Sequence, residues 1–245
     1  MIKQMRNIAW LACVGAVFHQ CGVGPVGDTG GASETVAIVI NGLTITGETK
    51  KKTEDNIEQS NPDVLLQIYD NDFLPYPYFL NSLNNITKST VSDSSGVFQF
   101  TDMREGIYNL LGKDVASGKS VFISNIKVGS GINDTIAGMF SYPGSIGGSV
   151  RIITATSDTV AAVGYDVFIP GTPFKTAADS GGAFQLDTLP RGEYFILSTS
   201  ISGLMDTAWT DHPDSLIGMI IGMEGDTVPL ESDEIISDLD IILQK

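Results

Sequence analysis

Two segments of this chain match each other at a constant spacing of 86 residues. The first reads TVSDSSGVFQFTDMREGIYNL from Thr90, and the second reads TAADSGGAFQLDTLPRGEYFI from Thr176. The matched pairs are Asp93 and Asp179, Gly96 and Gly182, Phe98 and Phe184, Gly106 and Gly192, and Tyr108 and Tyr194. Gap-free matches of such distinctive residue types predict two like-folded units in tandem.

The start of each segment has the chemistry of a tight turn. Asp93 and Asp179 are placed to cap the turn through their carboxylates, and Gly96 and Gly182 supply the positive φ that such turns require. We therefore interpret these four residues as structural and not as reactants.

The rest of each segment predicts two strands. Phe98 and Phe100 alternate with polar residues, as in a strand with one buried face, and the second copy repeats this pattern. A short turn ends at Gly106 or Gly192, and another alternating strand follows. The sequence alone predicts that these two strands form a β-hairpin.

Other short runs rich in valine, isoleucine and threonine extend the prediction to an all-β chain. Helical periodicity is nearly absent, and the spacing of turn residues favours two sandwiches of about seven strands each. The predicted domains are 35–142 and 143–245, with the boundary at Pro143-Gly144-Ser145. Further strands are predicted at 36–40, 43–46, 64–69, 121–128 and 135–140, and at 149–154, 165–169, 216–221 and 239–243.

The second unit resembles the carboxypeptidase regulatory-like domain. The resemblance rests on VFIPGT from Val167, on TAADSGGAFQL from Thr176, and on LPRGEY from Leu189, and it covers about 75 residues. It implies a transthyretin-like (prealbumin-like) Greek-key sandwich in each unit, without catalytic chemistry, that serves as a spacer, folding aid or binding module. The first unit is a divergent copy, because Met103-Arg104-Glu105 replaces Leu-Pro-Arg.

The N-terminus has the pattern of an export signal. Lys3 and Arg6 precede residues 8–18, eleven residues without a charge, which is too short to span a bilayer as a helix. We expect a signal peptide over 1–20. A flexible, glycine-rich tether is predicted over 21–34.

Cys21 stands between the predicted signal and the tether, an order that resembles a bacterial lipoprotein. We expect lipidation at Cys21 and location at the outer membrane or cell surface. The alternative is an ordinary secretory signal cut near Ala16, with a periplasmic or secreted product and Cys21 as a free thiol.

Charge and motifs restrict the function further. The formal net charge of −15 disfavours nucleic acid as a partner, because polyphosphate binding relies on lysine and arginine. No nucleophile elbow, phosphate loop or dinucleotide fingerprint occurs, and His212 is the only histidine beyond the predicted signal. We expect no catalytic residues, no metal and no cofactor.

An aromatic-rich stretch over residues 69–79 of the first unit suggests an alternative function. Phe73, Tyr76, Tyr78 and Phe79 lie close together and are interrupted by prolines, which disfavours a regular strand. Exposed rings there would form a platform for a polysaccharide or for another envelope protein. The other interpretation is that the rings fold back over the end of the sandwich.

The sequence therefore favours a non-catalytic, envelope-anchored lipoprotein that acts as a structural, spacer or interaction module. A carbohydrate-binding surface module is the first alternative. A hydrolase with an unrecognised carboxylate pair is the second, because acidic side chains are plentiful.

Overall fold

The computed structural model describes residues 33–75, 88–154, 156–199 and 224–244. Their regular structure consists of β-strands joined by turns, in agreement with the predicted all-β class. The strands are β1 (Glu34–Asn41), β2 (Thr44–Lys52), β3 (Glu58–Ser60), β4 (Leu65–Asp70), β5 (Lys88–Val91), β6 (Val97–Phe100), β7 (Gly106–Lys113), β8 (Ser120–Val128), β9 (Asn133–Phe140), β10 (Gly144–Ile153), β11 (Thr159–Ala161), β12 (Asp166–Phe168), β13 (Lys175–Ala177), β14 (Ala183–Leu189), β15 (Gly192–Thr199), β16 (Glu224–Leu230) and β17 (Ile235–Gln244).

Strands β1 to β9 form a first sandwich of two antiparallel sheets. Sheet 1 has the order β9-β1-β2, and both β3 and β6 pair with the far side of β2. Sheet 2 has the order β5-β4-β7-β8. Alternate residues of the two sheets face each other and bury one apolar core, which includes Ile38, Leu66, Phe98 and Tyr108.

Strands β10 to β17 form a second sandwich with its own core. Sheet 3 is built on β10, which pairs with β17 on one side and with β14 and β11 on the other. Sheet 4 has the order β13-β12-β15-β16. The core between them includes Ile146, Val167, Leu186 and Tyr194.

The predicted β-hairpins are wrong. Strand β6 pairs with β2 in sheet 1, whereas β7 pairs with β4 and β8 in sheet 2, so the chain crosses from one sheet to the other between them. Strands β14 and β15 do the same in the second sandwich. The crossing lets Phe98 and Tyr108 enter one core from opposite sides, whereas a hairpin would place them in the same layer.

The residues of the predicted boundary between the sandwiches lie at the start of β10. Gly144 and Ser145, predicted as boundary residues, are the first residues of β10, and a Cβ on Gly144 would lie 2.3 Å from the carbonyl oxygen of Glu234. At the N-terminus, Glu34 belongs to β1 and is buried, although the predicted tether reaches that residue. The predicted signal peptide, Cys21 and the strand at 216–221 lie outside the described residues.

Backbone geometry recurs between the two sandwiches at fixed offsets. Several described residues have a positive φ in both sandwiches at matching positions. Gly96 and Gly182 are 86 positions apart, and so are Asp102 and Thr188. Before the aromatic-rich stretch the offset is 101 positions, and it relates Asn56 to Ser157 and Asp63 to Gly164. The change in offset corresponds to an insertion between β4 and β5 of the first sandwich.

Candidate functional site

The two aspartates of the repeated segment hold equivalent turns. One carboxylate oxygen of Asp93 accepts hydrogen bonds from the backbone N–H groups of Ser95 at 2.8 Å and Val97 at 2.9 Å. In the second sandwich, Asp179 accepts from Gly181 at 2.7 Å and from Ala183 at 2.9 Å. Both carboxylates therefore satisfy backbone donors at the crossing from one sheet to the other.

Each turn also contains a glycine pressed against the backbone of the neighbouring strand in the sheet that the chain enters. Gly96 has a φ of +77°, and a Cβ there would lie 2.4 Å from the carbonyl oxygen of Thr49. Gly182 has a φ of +81°, and a Cβ there would lie 2.6 Å from the carbonyl oxygen of Val150. Both the conformation and the close approach exclude a side chain.

The second crossing in each sandwich is closed by a tyrosine. The hydroxyl of Tyr108 donates to the carbonyl of Arg104 at 3.0 Å, and that of Tyr194 donates to the carbonyl of Pro190 at 2.6 Å. Both rings are buried, and burial raises the pKa of both phenols. This tyrosine-corner arrangement fixes the loop that precedes Gly106 or Gly192.

The two sandwiches meet at a junction built around Asn109. Its side-chain amide nitrogen donates to the carbonyl of Gly171 in the second sandwich at 3.0 Å. Its side-chain oxygen accepts from the backbone N–H of Asn125, a residue of positive φ in the irregular part of β8, at 3.1 Å. Asn109 is only 5% exposed although it lies on the outer face of sheet 2, because the second sandwich covers it.

Gly171 fits this junction because it lacks a side chain. Its φ is +72°, and a Cβ would lie 2.2 Å from the amide nitrogen of Asn109 and 2.7 Å from the carbonyl oxygen of Asn71. Its N–H donates to the carbonyl of Phe73 at 2.6 Å. The loop that carries Gly171 is held by Thr172, whose hydroxyl donates to the carbonyl of Ile169 at 2.8 Å.

A ring contact completes the junction. Phe122 of β8 packs against Tyr194 with their ring centroids 5.4 Å apart, and it joins the edge of the second core. A Cβ on Gly192 would lie 3.4 Å from the ring of Phe122. We call the end of the second sandwich that carries Gly171 and the Tyr194 corner its corner end. This corner end contacts the outer face of sheet 2 through hydrogen bonds at Gly171 and through ring packing at Tyr194.

The aromatic-rich stretch enters this junction at Phe73. Phe73 is half-buried against Tyr69, with ring centroids 5.2 Å apart, and its carbonyl accepts the hydrogen bond from Gly171. Phe73 is therefore part of the contact between the sandwiches. Tyr76, Tyr78 and Phe79 lie outside the described residues.

A buried acidic pair lies in the first sandwich, where β1 begins. The hydroxyl of Ser117 is 3.0 Å from a carboxylate oxygen of Glu34 and 3.0 Å from one of Asp114. One hydroxyl proton can serve only one of them at a time. Lys119 lies 3.5 Å from Glu34, and Asn61 donates to Asp114 at 3.2 Å.

The pKa values of the two carboxyl groups are shifted in opposite directions. Burial raises the pKa of Glu34, in spite of the bond from Ser117 and the charge of Lys119. Burial also acts to raise the pKa of Asp114, but hydrogen bonds from Asn61, Ala116 and Ser117 outweigh it and lower that pKa. We interpret this pair as an anchor for β1, with Glu34 as the group that holds a proton more readily.

The described ranges contain no group of three or more histidine, cysteine, aspartate or glutamate side chains arranged to hold a metal ion. Within the same ranges, no helix combines the length and apolar character needed to cross a membrane. His212 falls in 200–223 and is not among them.

The sequence does not single out the residues at these contacts, which are Asn109, Phe122, Glu34 and Asp114. An asparagine on the outer face of a strand has no pattern of its own, and its role depends on a glycine 62 positions away. One signal existed: at the spacing of 86 residues, Asn109 is matched by Phe195, so the two segments differ strongly at this position although the preceding tyrosine is the same.

Comparison with protein-family models and with curated proteins gave no match. Among solved structures, a minor pilin of the Gram-positive pathogen Streptococcus agalactiae is similar at 14% identity and a TM-score of 0.36, covering 78% of this chain and 86% of that one. The shaft pilin SpaA of Lactobacillus rhamnosus shares 9% identity with a TM-score of 0.25, covering 86% and 97%. The major pilin subunit of Bacillus cereus shares 12% identity with a TM-score of 0.25, covering 86% and 70%.

Proposed function

We propose that this chain is an exported, non-catalytic envelope protein whose two sandwiches form a rigid spacer held at the membrane by a lipid on Cys21. The observation that carries the proposal is the junction between Asn109 and Gly171. A buried, geometrically fixed contact between two sandwiches favours one extended body over two independent domains.

The acidic residues of the repeated segment support a structural role. Asp93 and Asp179 each direct a carboxylate oxygen at two backbone N–H groups within their own turn. A carboxylate in this position stabilises the chain and is poorly placed to transfer a proton to a substrate. A hydrolase is therefore not the function that these residues favour.

We also propose that the sandwiches are tandem copies of a carboxypeptidase regulatory-like, transthyretin-like domain. The matched turns and tyrosine corners support this assignment. So does the strand order, because β5-β4-β7-β8 in sheet 2 corresponds to β13-β12-β15-β16 in sheet 4. The family's role as a spacer or interaction module agrees with the proposed function.

Polysaccharide binding is less favoured than the spacer role. It requires the rings of the aromatic-rich stretch to be exposed, and Phe73 is committed to the junction through Tyr69 and Gly171. The alternative rests on Tyr76, Tyr78 and Phe79 alone.

Mass spectrometry of the mature chain and cell fractionation test whether a lipid on Cys21 holds the protein at the membrane. We expect a mature N-terminus at Cys21 that carries acyl chains, and a chain that stays with the membranes. The variant Cys21→Ser should lose both the added mass and the membrane association. An unmodified chain cut near Ala16 and recovered free of membranes would overturn the anchoring.

A further inference from the structure

The edge strands of the two sandwiches differ in how well they are protected against pairing with another chain. Strands β3, β11 and β13 have three residues each, and β5 and β6 have four. Strands β8, β14 and β17 each contain an extra residue that interrupts their register, and β16 contains Pro229. Short length, bulges and proline all hinder the addition of a strand to an edge. Strand β9 has none of these features, because it pairs with β1 over eight residues without a break in register.

The free side of β9 follows from a contact at its end. Ser141 exchanges both backbone hydrogen bonds with Ser120 of β8, at 2.9 Å each, so its N–H and C=O point away from β1. Backbone groups alternate in direction along a strand of an antiparallel sheet. The N–H and C=O groups of Thr135, Ala137 and Met139 therefore also point away from β1.

This side of the strand is accessible. Thr135, Ala137 and Met139 are exposed, and no described residue bonds to the outward backbone groups of Ala137 and Met139. The N–H of Thr135 donates to the carboxylate of its neighbour Asp134 at 2.8 Å, an exposed bond that an incoming strand can replace. The edge thus presents a short row of backbone donors and acceptors to another chain.

The sequence of β9 favours a second copy of itself as that chain. The free stretch runs from Asn133 to Met139, and Ile136 is its midpoint. An antiparallel pairing centred on Ile136 places Thr135 opposite Ala137 of the second copy. It also places Asn133 opposite Met139, so outward groups meet outward groups along the whole stretch. The contact is identical from both sides, as a two-fold axis requires.

Charge is compatible with the same pairing. Asp134 is the charged residue of β9, and in this register it lies opposite Gly138, which has no side chain. The two copies of Asp134 are then four positions apart, about 14 Å along the strands. That separation exceeds the Debye length of about 8 Å at physiological salt, so the two carboxylates repel each other only weakly. At the centre, Ile136 meets its own counterpart in an apolar pair.

We propose that two copies of this chain associate through their β9 edges, so that sheet 1 continues from one copy into the other across a two-fold axis. The formal charge of −15 on each copy opposes this association at low salt, and it should therefore strengthen as the salt concentration rises. The association goes beyond the spacer role. It needs no lipid on Cys21, so a failure of the anchor would leave it standing.

Amide hydrogen exchange of the full chain, at low and high protein concentration in high salt, tests the pairing residue by residue. The amides of Ile136 and Gly138 face β1 and should exchange slowly at both concentrations. Those of Ala137 and Met139 should exchange fast in the monomer and about tenfold or more slower in the dimer. Sedimentation velocity under the same conditions measures the equilibrium between monomer and dimer, and how salt shifts it.

Matched substitutions separate an edge contact from a general effect of charge. Ala137→Asp places two acids beside the two-fold axis and should weaken association by about fivefold or more. Ala37→Asp is the control, because Ala37 is exposed and lies opposite Ala137 in the ladder, one strand in from the edge. It should change association by about twofold or less.

A second pair of substitutions tests the backbone bond itself. Ala137→Pro removes the outward N–H but none that bonds to β1, whereas Ala137→Val keeps that N–H. We expect the proline to weaken association by about tenfold or more and the valine to leave it unchanged. Circular dichroism and urea unfolding show whether each variant is folded.

The exchange pattern of the wild type decides the case without any variant. A chain that stays monomeric at every concentration and salt would overturn the proposal. So would a dimer in which the amides of Ala137 and Met139 remain fast, or one that Ala37→Asp weakens as much as Ala137→Asp does.

Discussion

The side-chain amide of Asn109 donates a hydrogen bond to the carbonyl of Gly171 at 3.0 Å, which links the outer face of one β-sandwich to the corner end of the next. The same side chain accepts from Asn125 at 3.1 Å, so its orientation is fixed from its own sandwich. Gly171 brings no side chain, and none would fit. This pair therefore fixes one point of contact between the two sandwiches.

Gly171→Ala should separate the sandwiches. The added Cβ would overlap the amide nitrogen of Asn109, and the positive φ adds strain of about 1–2 kcal/mol. Gly118→Ala is the matched control, because Gly118 has a φ of +75° with nothing within 4 Å of a Cβ. We expect the free energy of unfolding in urea to fall by about 1–3 kcal/mol more for Gly171→Ala than for Gly118→Ala. Equal losses would contradict the close contact.

Asn109→Ala should loosen the junction without disturbing either core. It leaves the carbonyl of Gly171 and the N–H of Asn125 without their partner, at a cost of about 1–3 kcal/mol for each buried group. Hydrogen exchange at the Asn125 amide should accelerate. The exposed Gln99→Ala should change stability by about 0.5 kcal/mol or less. An unchanged exchange rate at Asn125 would argue against the assigned bond.

Asp93→Ala and Asp179→Ala should destabilise the protein by similar amounts. Each removes the acceptor for two backbone N–H groups, which is worth about 1–2 kcal/mol. Asp→Asn at either position keeps an acceptor oxygen and should recover most of the loss. Thermal unfolding checks this, and a neutral effect at one position would contradict the equivalence of the turns.

Tyr194→Phe should lower stability and change its dependence on alkaline pH. The loss of the hydrogen bond to Pro190 costs about 1 kcal/mol at neutral pH. Burial raises the pKa of Tyr194 in the folded state, whereas the unfolded phenol ionises near its ordinary value of about 10. The stability contribution is therefore present below about pH 10 and is lost as pH rises above it. Urea midpoints at pH 7, 9 and 10.5 should show a weaker alkaline loss in the variant than in the wild type.

The stability of the Glu34→Gln variant should increase relative to that of the wild type as pH rises. Burial raises the folded pKa of Glu34 above its ordinary value of 4.5, so the wild type loses stability as pH rises from that value through the raised one. The glutamine has no such loss. Urea unfolding at pH 4 and pH 7 measures the difference, and Glu58→Gln, at an exposed position of β3, is the control. A difference that stays constant with pH would contradict the assignment.

The all-β class and the repeated turns could be predicted from the sequence because they depend on local chemistry. Aspartate and glycine at fixed spacing specify a turn wherever they occur, and the alternation around Phe98 specifies a strand with one buried face. These features need no knowledge of the neighbouring strands.

The pairing of the strands could not be predicted in the same way. The segment from Phe98 to Tyr108 has the spacing of a hairpin, yet its two strands join different sheets, because both rings enter one core from opposite sides. Likewise, the junction depends on contacts between residues far apart in sequence. Asn109 and Gly171 have no local pattern that connects them.

Residual dipolar couplings from one weakly aligned NMR sample test the central claim most directly. If the Asn109–Gly171 junction makes the two sandwiches one rigid body, a single alignment tensor should fit the amides of residues 34–75 and 88–140 together with those of 144–154 and 156–199. Two tensors of different magnitude would mean that the sandwiches move independently, and the account of this protein as a rigid spacer would then be wrong.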